Sequence, residues 1–133
     1  MRKIFLLNHD INLTDKSVIN NIIMSAHKSK ITLEIELDDN KVPEKMYWSA
    51  PDGGINKSAS KAFLLSVWDE ESKDTLRIDL WTKDMKVDEM KRFFHQTLLS
   101  MSDSLEKATN EDKMAGDLRD FCEHFAEKLL KED

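Results

Sequence analysis

AFLLSVWDEESKDTLRIDLWT, residues 62–82, reads as two strands joined by a polar loop. Setting Asp69 opposite Asp74 leaves Glu70, Glu71, Ser72 and Lys73 as the connection. Val67 then opposes Leu76, Leu65 opposes Ile78 and Phe63 opposes Leu80 on one face. The other face collects Ala62, Leu64, Ser66 and Trp68 beside Thr75, Arg77, Asp79 and Trp81. Side chains alternate with period two, so a slip of one residue would exchange the apolar set for Arg77 and Asp79. A single register satisfies the pattern.

Working outward, Lys30 to Leu37 also alternates, with Ile31, Leu33, Ile35 and Leu37 on one side and Thr32, Glu34 and Glu36 on the other. Asp38-Asp39-Asn40-Lys41 is a turn by composition. Opposing Leu37 to Val42 at the head of a second strand, Val42 to Ala50, sets Leu33 against Met46, Ile31 against Trp48 and Glu34 against Lys45. Pro43 cannot donate to a ladder, which places it at an edge or a strand start. Pro51-Asp52-Gly53-Gly54 is a strong turn signal and opens what reads as a polar loop reaching Ser60.

Beyond Thr82 the period becomes helical. Val87, Met90, Phe94, Leu98, Met101, Leu105 and Ala108 recur at three- and four-residue steps, with Asp84 as the expected N-cap. Asn110 is expected to cap the next helix, whose stripe is Met114, Leu118, Phe121, Cys122, Phe125 and Leu129. A two-residue connection makes the helices an antiparallel pair. The expected fold class is α+β: a two-layer domain, with a four-stranded antiparallel meander carrying a C-terminal antiparallel helical hairpin on one face. Its core would include Phe94 and Phe121.

Residues 1–23 differ in composition from the rest of the chain. They hold Asn8, Asn12, Asn20 and Asn21 among Ile4, Ile11, Ile19, Ile22 and Ile23, whereas Asn40, Asn56 and Asn110 are the only later asparagines. Residues 1–23 therefore read as an N-terminal extension, either a disordered tail or an over-annotated start with translation beginning at Met24, and residues 24–133 as a single domain. The alternative is a short helix capped by Thr14 or Asp15, with Val18, Ile19, Ile22 and Ile23 on one side.

A chain of 133 residues with 40% apolar and 35% charged residues is a well-solvated globule. Its net charge of −6 argues against nonspecific binding to nucleic acid or an anionic membrane surface. Cys122 is the one cysteine, which excludes an intrachain disulfide and suits a reducing compartment. No apolar run approaches the ~18 residues of a membrane span, so membrane insertion is not expected. Met1-Arg2-Lys3 precedes an apolar run of only four residues, Ile4 to Leu7, short of a secretory signal. The expected location is the cytoplasm.

Few residues suggest reaction chemistry. Cys122 and His124 stand two apart on a helix, about 200° around its axis, and cannot chelate one ion. His95 sits beside its helix's apolar stripe. No metal, cofactor or catalytic residue is expected, and the Gly53-Gly54 pair lacks the frame of a phosphate-binding loop. The outer sheet face is different. Tyr47, Leu64, Trp68 and Trp81 gather there around Arg77, Asp79, Lys45 and Glu34, where a two-layer domain is expected to be polar. Tryptophan, tyrosine and arginine are enriched at binding hot spots, so Tyr47, Leu64, Trp68, Arg77, Asp79 and Trp81 are the candidate partner-binding residues. The competing reading has the N-terminal tail, the long loop or a homodimer mate covering these aromatics.

MYWSAPDGGI (46–55), SVWDEESKDTLRIDLWTKDM (66–85), VDEMKRFFHQTLLSMSD (87–103) and DFCEHFAEKL (120–129) together resemble the gliding motility protein GldC family, over roughly Met24 to Leu130. The resemblance implies a small soluble protein in the cytoplasm of gliding bacteria that assists machinery associated with type IX secretion, and the function expected is that of an accessory or adaptor protein binding a protein component of it through the outer sheet face. It implies no enzymatic activity and no cofactor. The alternative is a small-ligand-binding or enzymatic domain with its site near Trp48 and Asp52-Gly53-Gly54.

Overall fold

Alternating apolar and polar residues form most of the strands up to Trp81, and three- to four-residue apolar spacing forms helices beyond it. The computed structural model describes residues 27–131; the expectations for residues 1–23 lie outside them. The strands are β1 (Thr32–Leu37), β2 (Pro43–Ala50), β3 (Ile55–Ser60), β4 (Ala62–Asp69) and β5 (Asp74–Trp81). A single 3₁₀ turn, Pro51–Gly53, separates β2 from β3, and the helices are α1 (Val87–Thr109) and α2 (Asp112–Leu129). Among the described residues there are, instead of one four-stranded meander, five strands in two antiparallel sheets, β1-β2-β3 and β4-β5. The described residues divide into two compact units, one ending at Lys83 and the other beginning at Asp84.

In the first unit the β4–β5 register matches the sequence reading at every pair, from Ala62 opposite Trp81 to Asp69 opposite Asp74. The β1–β2 register is displaced by two residues from the expected one. Leu33 opposes Trp48, Glu34 opposes Tyr47, Ile35 opposes Met46 and Glu36 opposes Lys45. The cause is the turn. Asp38 N donates to Val42 O at 2.9 Å, Lys41 takes φ +62°, and a bulge after Glu36 lets Leu37 pair with Pro43. An even displacement leaves each side chain on its assigned face.

The expected loop from Pro51 to Ser60 is instead largely a strand. β3 runs along β2 with Met46 opposite Ser60, Tyr47 opposite Ala59 and Trp48 opposite Ser58. INKSAS lacks apolar alternation because β3 is an edge strand with little to bury. Pro43 is the first residue of β2, where its missing N–H costs no ladder bond. Thr82 N donates to Lys61 O at 2.8 Å and extends the β4–β5 ladder by one rung, and Lys83 N donates to Pro43 O of β2 at 3.0 Å, which ties the hairpin to the first sheet. Met46, Ala50 and Thr82 are buried in this unit.

In the second unit the N-cap of α1 falls at Lys86 and not at the expected Asp84. The Lys86 N–H donates to the Glu89 carboxylate at 2.9 Å. Asn110 ends α1 rather than starting α2: it sits in the left-handed region at φ +59°, its N–H donating to Glu106 O at 2.9 Å. Glu111 is the residue before α2. Arg119 of α2 donates to Asp103 at 3.0 Å and to Glu106, both on α1, and the His95 and Phe125 rings lie 5.9 Å apart. Small residues, Ser102, Ala115 and Cys122, are the buried ones. Phe94, Met101, Met114 and Phe121 are exposed, so Phe94 and Phe121 do not belong to the core.

Candidate functional site

Local chemistry builds the β4–β5 hairpin. Asp69 Oδ1 accepts the Ser72 N–H at 2.7 Å, Lys73 adopts φ +55°, and Lys73 N donates to Asp69 O at 3.0 Å. The Ser72 backbone N–H, followed by the Ser72 hydroxyl, holds the Asp69 carboxyl below its ordinary pKa. This turn sets the strand pairing and brings five of the six candidate residues onto one face: Leu64 and Trp68 from β4, and Arg77, Asp79 and Trp81 from β5.

Trp68 is 65% exposed and Trp81 53%, at opposite ends of this face, while Leu64 between them is half-buried. Arg77 Nη2 donates to Asp79 Oδ1 at 2.9 Å and Arg77 Nη1 donates to Ser66 Oγ at 2.8 Å. The centre of the face is thus an ion pair, and its ends are indole rings. Tyr47 stands apart from these five on the three-stranded sheet, opposite Glu34 and Ala59, with the Lys57 ammonium 5.2 Å from its ring centroid. Lys57 belongs to β3, so a sequence reading that missed β3 had no signal for this contact.

The reverse face of the hairpin departs from its expected burial. Phe63 and Leu80 are half-buried, but Leu65, Val67, Leu76 and Ile78 are exposed, the last two at 58% and 56%. The half of the hairpin nearer the turn therefore presents side chains to solvent on both faces.

The alternative site around the glycine pair is occupied by the chain itself. Asp52 Oδ2 accepts the Ser29 hydroxyl and lies 3.2 Å from His27 Nε2, and these contacts, Ser29 first, lower its pKa. Gly54 takes φ +71° and spends its N–H on Pro51 O at 2.9 Å. Burial pushes the Cys122 thiol up, away from the reactive thiolate. His124 lies beside the Phe121 ring, at 6.5 Å between centroids. Among the described residues no group of three or more His, Cys, Asp or Glu is disposed to hold a metal ion. Among them, too, no helix is long and apolar enough to cross a membrane.

Fold and hairpin define a small α+β protein that presents aromatic and aliphatic side chains at its surface. The family described as gliding motility-associated protein GldC-like matches residues 43–131, from the first residue of β2 through α2, and the chain belongs to this family. The four runs that carried the resemblance lie inside the match, whereas residues 24–42, including β1, lie outside it. No curated protein and no solved structure matches the chain.

Proposed function

We propose that the protein is a non-enzymatic accessory or adaptor protein of the bacterial gliding motility machinery, associated with type IX secretion and working in the cytoplasm. It binds a protein component of that machinery through the outer face of the β4–β5 hairpin. The observation that carries this reading is the exposure of Trp68 and Trp81 on one face, with the Arg77–Asp79 ion pair between them. Indole rings supply a large apolar contact at low entropic cost, and the central ion pair orients a partner. The alternative of a small-ligand site at Asp52-Gly53-Gly54 draws less support. Its carboxylate and the Gly54 N–H already have partners within the chain.

The test is complementation of a strain lacking the gene by a Trp68→Ala/Trp81→Ala double variant. Both rings are largely exposed, so the variant stays folded and its melting temperature changes little. Truncating a central interface tryptophan costs about 2 kcal/mol or more in affinity, roughly a thirtyfold loss. Gliding is therefore not restored. Full restoration by a folded double variant rules out this face as the working surface.

A further inference from the structure

From the free edge of β5 we infer that two copies of this chain associate by antiparallel β5–β5 pairing about a two-fold axis at Ile78. Among the described residues β5 pairs with β4 alone, and that pairing runs from Asp69/Asp74 to Ala62/Trp81 without a register shift. The ladder's phase follows from Thr82 N donating to Lys61 O. Alternation then turns the backbone N–H and C=O groups of Leu76, Ile78 and Leu80 towards β4, and those of Thr75, Arg77, Asp79 and Trp81 outward. The outward groups form a straight row with no proline, glycine or bulge to blunt it.

The sequence along that row is self-complementary. With Ile78 opposite Ile78 of the second copy, Arg77 meets the second copy's Asp79, and Asp79 meets its Arg77. On the opposite face Leu76 meets Leu80 of the second copy, so the exposed Leu76 and Ile78 gain apolar neighbours. The residues with outward backbone groups are opposed to one another, as an antiparallel ladder requires. A slide of two residues either way sets Arg77 opposite Arg77 or Asp79 opposite Asp79. A slide of one residue opposes apolar to charged side chains and loses the backbone phase. All of these antiparallel self-pairings are two-fold symmetric, and charge selects the one centred on Ile78. The product is a four-stranded sheet, β4-β5-β5-β4, with Trp81 of each copy across from Thr75 of the other and the tryptophans of both copies on one face. The pairing rests on the strand edge and its charge order, and is independent of the proposed motility partner.

The experiment is sedimentation equilibrium of the full chain at neutral pH and low salt. The wild type is expected at twice its 15.5 kDa chain mass. Arg77→Asp alone opposes two aspartates and Asp79→Arg alone opposes two arginines. Each should weaken self-association about tenfold or more. An equimolar mixture of the two single variants restores wild-type association, because each supplies the charges the other lacks. The Arg77→Asp/Asp79→Arg double variant restores it alone and retains the ion pair along β5, so it decides the matter even where a single variant folds poorly. A wild type that stays monomeric at hundreds of micromolar overturns the inference, as does a charge-swapped double variant that fails to associate. Single variants that dimerise as tightly as the wild type do so too.

Discussion

Asp38 closes the first turn from both ends of its side chain. Oδ1 accepts N–H groups from Asn40 at 2.9 Å and Val42 at 3.0 Å, and Oδ2 lies 3.3 Å from Lys83 Nζ. The Val42 N–H foremost, with Lys83 and the Asn40 N–H, lowers its pKa from the ordinary 3.8. The same lysine also reaches Glu44 at 3.0 Å, and its own pKa is raised, Glu44 being the larger cause. A carboxylate with a depressed folded-state pKa contributes stability that is fully present above its unfolded value. That stability is lost as pH falls through the lower folded value. Asp38→Asn lacks the contribution at every pH. Its melting temperature should therefore lie below that of the wild type at neutral pH, and the gap should close in acid below 3.8. Thermal melts of both proteins across the acid range check this, and a gap independent of pH would remove the charge from the explanation.

At the scale of elements, the helical pair separates apolar spacing from burial. The stripe on α2 includes Phe121, yet Phe121 is 50% exposed and Ala115 is fully buried. Large side chains hold helices apart, whereas small ones let backbones approach, so Ser102, Ala115 and Cys122 become the buried residues. Ala115→Leu forces extra methylenes into this contact and should cost about 1–3 kcal/mol. Phe121→Ala removes a ring that is half in solvent already and should cost about 1–2 kcal/mol, below the ~3–5 kcal/mol of a buried phenylalanine. Urea denaturation of the two variants ranks them. A Phe121→Ala loss in the full buried range would return that ring to the core.

For the whole molecule, the three tryptophans report on different environments. Trp68 and Trp81 are exposed on the hairpin and Trp48 is half-buried on β2. Emission from the native protein should therefore be red-shifted and strongly quenched by acrylamide. A Trp68→Phe/Trp81→Phe variant, left with Trp48, should emit further to the blue and quench less. Equal quenching of variant and wild type would contradict the exposure of the hairpin rings. Membership of the GldC-like family spans β2 to α2, so it covers both hairpin strands as well as the helical pair.

Residues 62–81 contain their own register. Alternation, a polar connection and Asp69 at its start leave one pairing that keeps Arg77 and Asp79 off the apolar face, and the structure adopts it. The helical hairpin is equally local, since apolar spacing and a two-residue link specify it. The common face of Leu64, Trp68, Arg77, Asp79 and Trp81 was legible for the same reason: sharing a face of a hairpin is a matter of parity. Tyr47 was placed with them on the assumption of one continuous sheet. The division into two sheets separates it. β3 could not be read because an edge strand needs a neighbour's backbone more than apolar side chains of its own. Burial was the other quantity beyond reach. Periodicity names the apolar face of an element, but only the packed chain decides whether another surface reaches it. That is why Leu76, Ile78 and Phe121 carry the pattern of a core and stand in solvent.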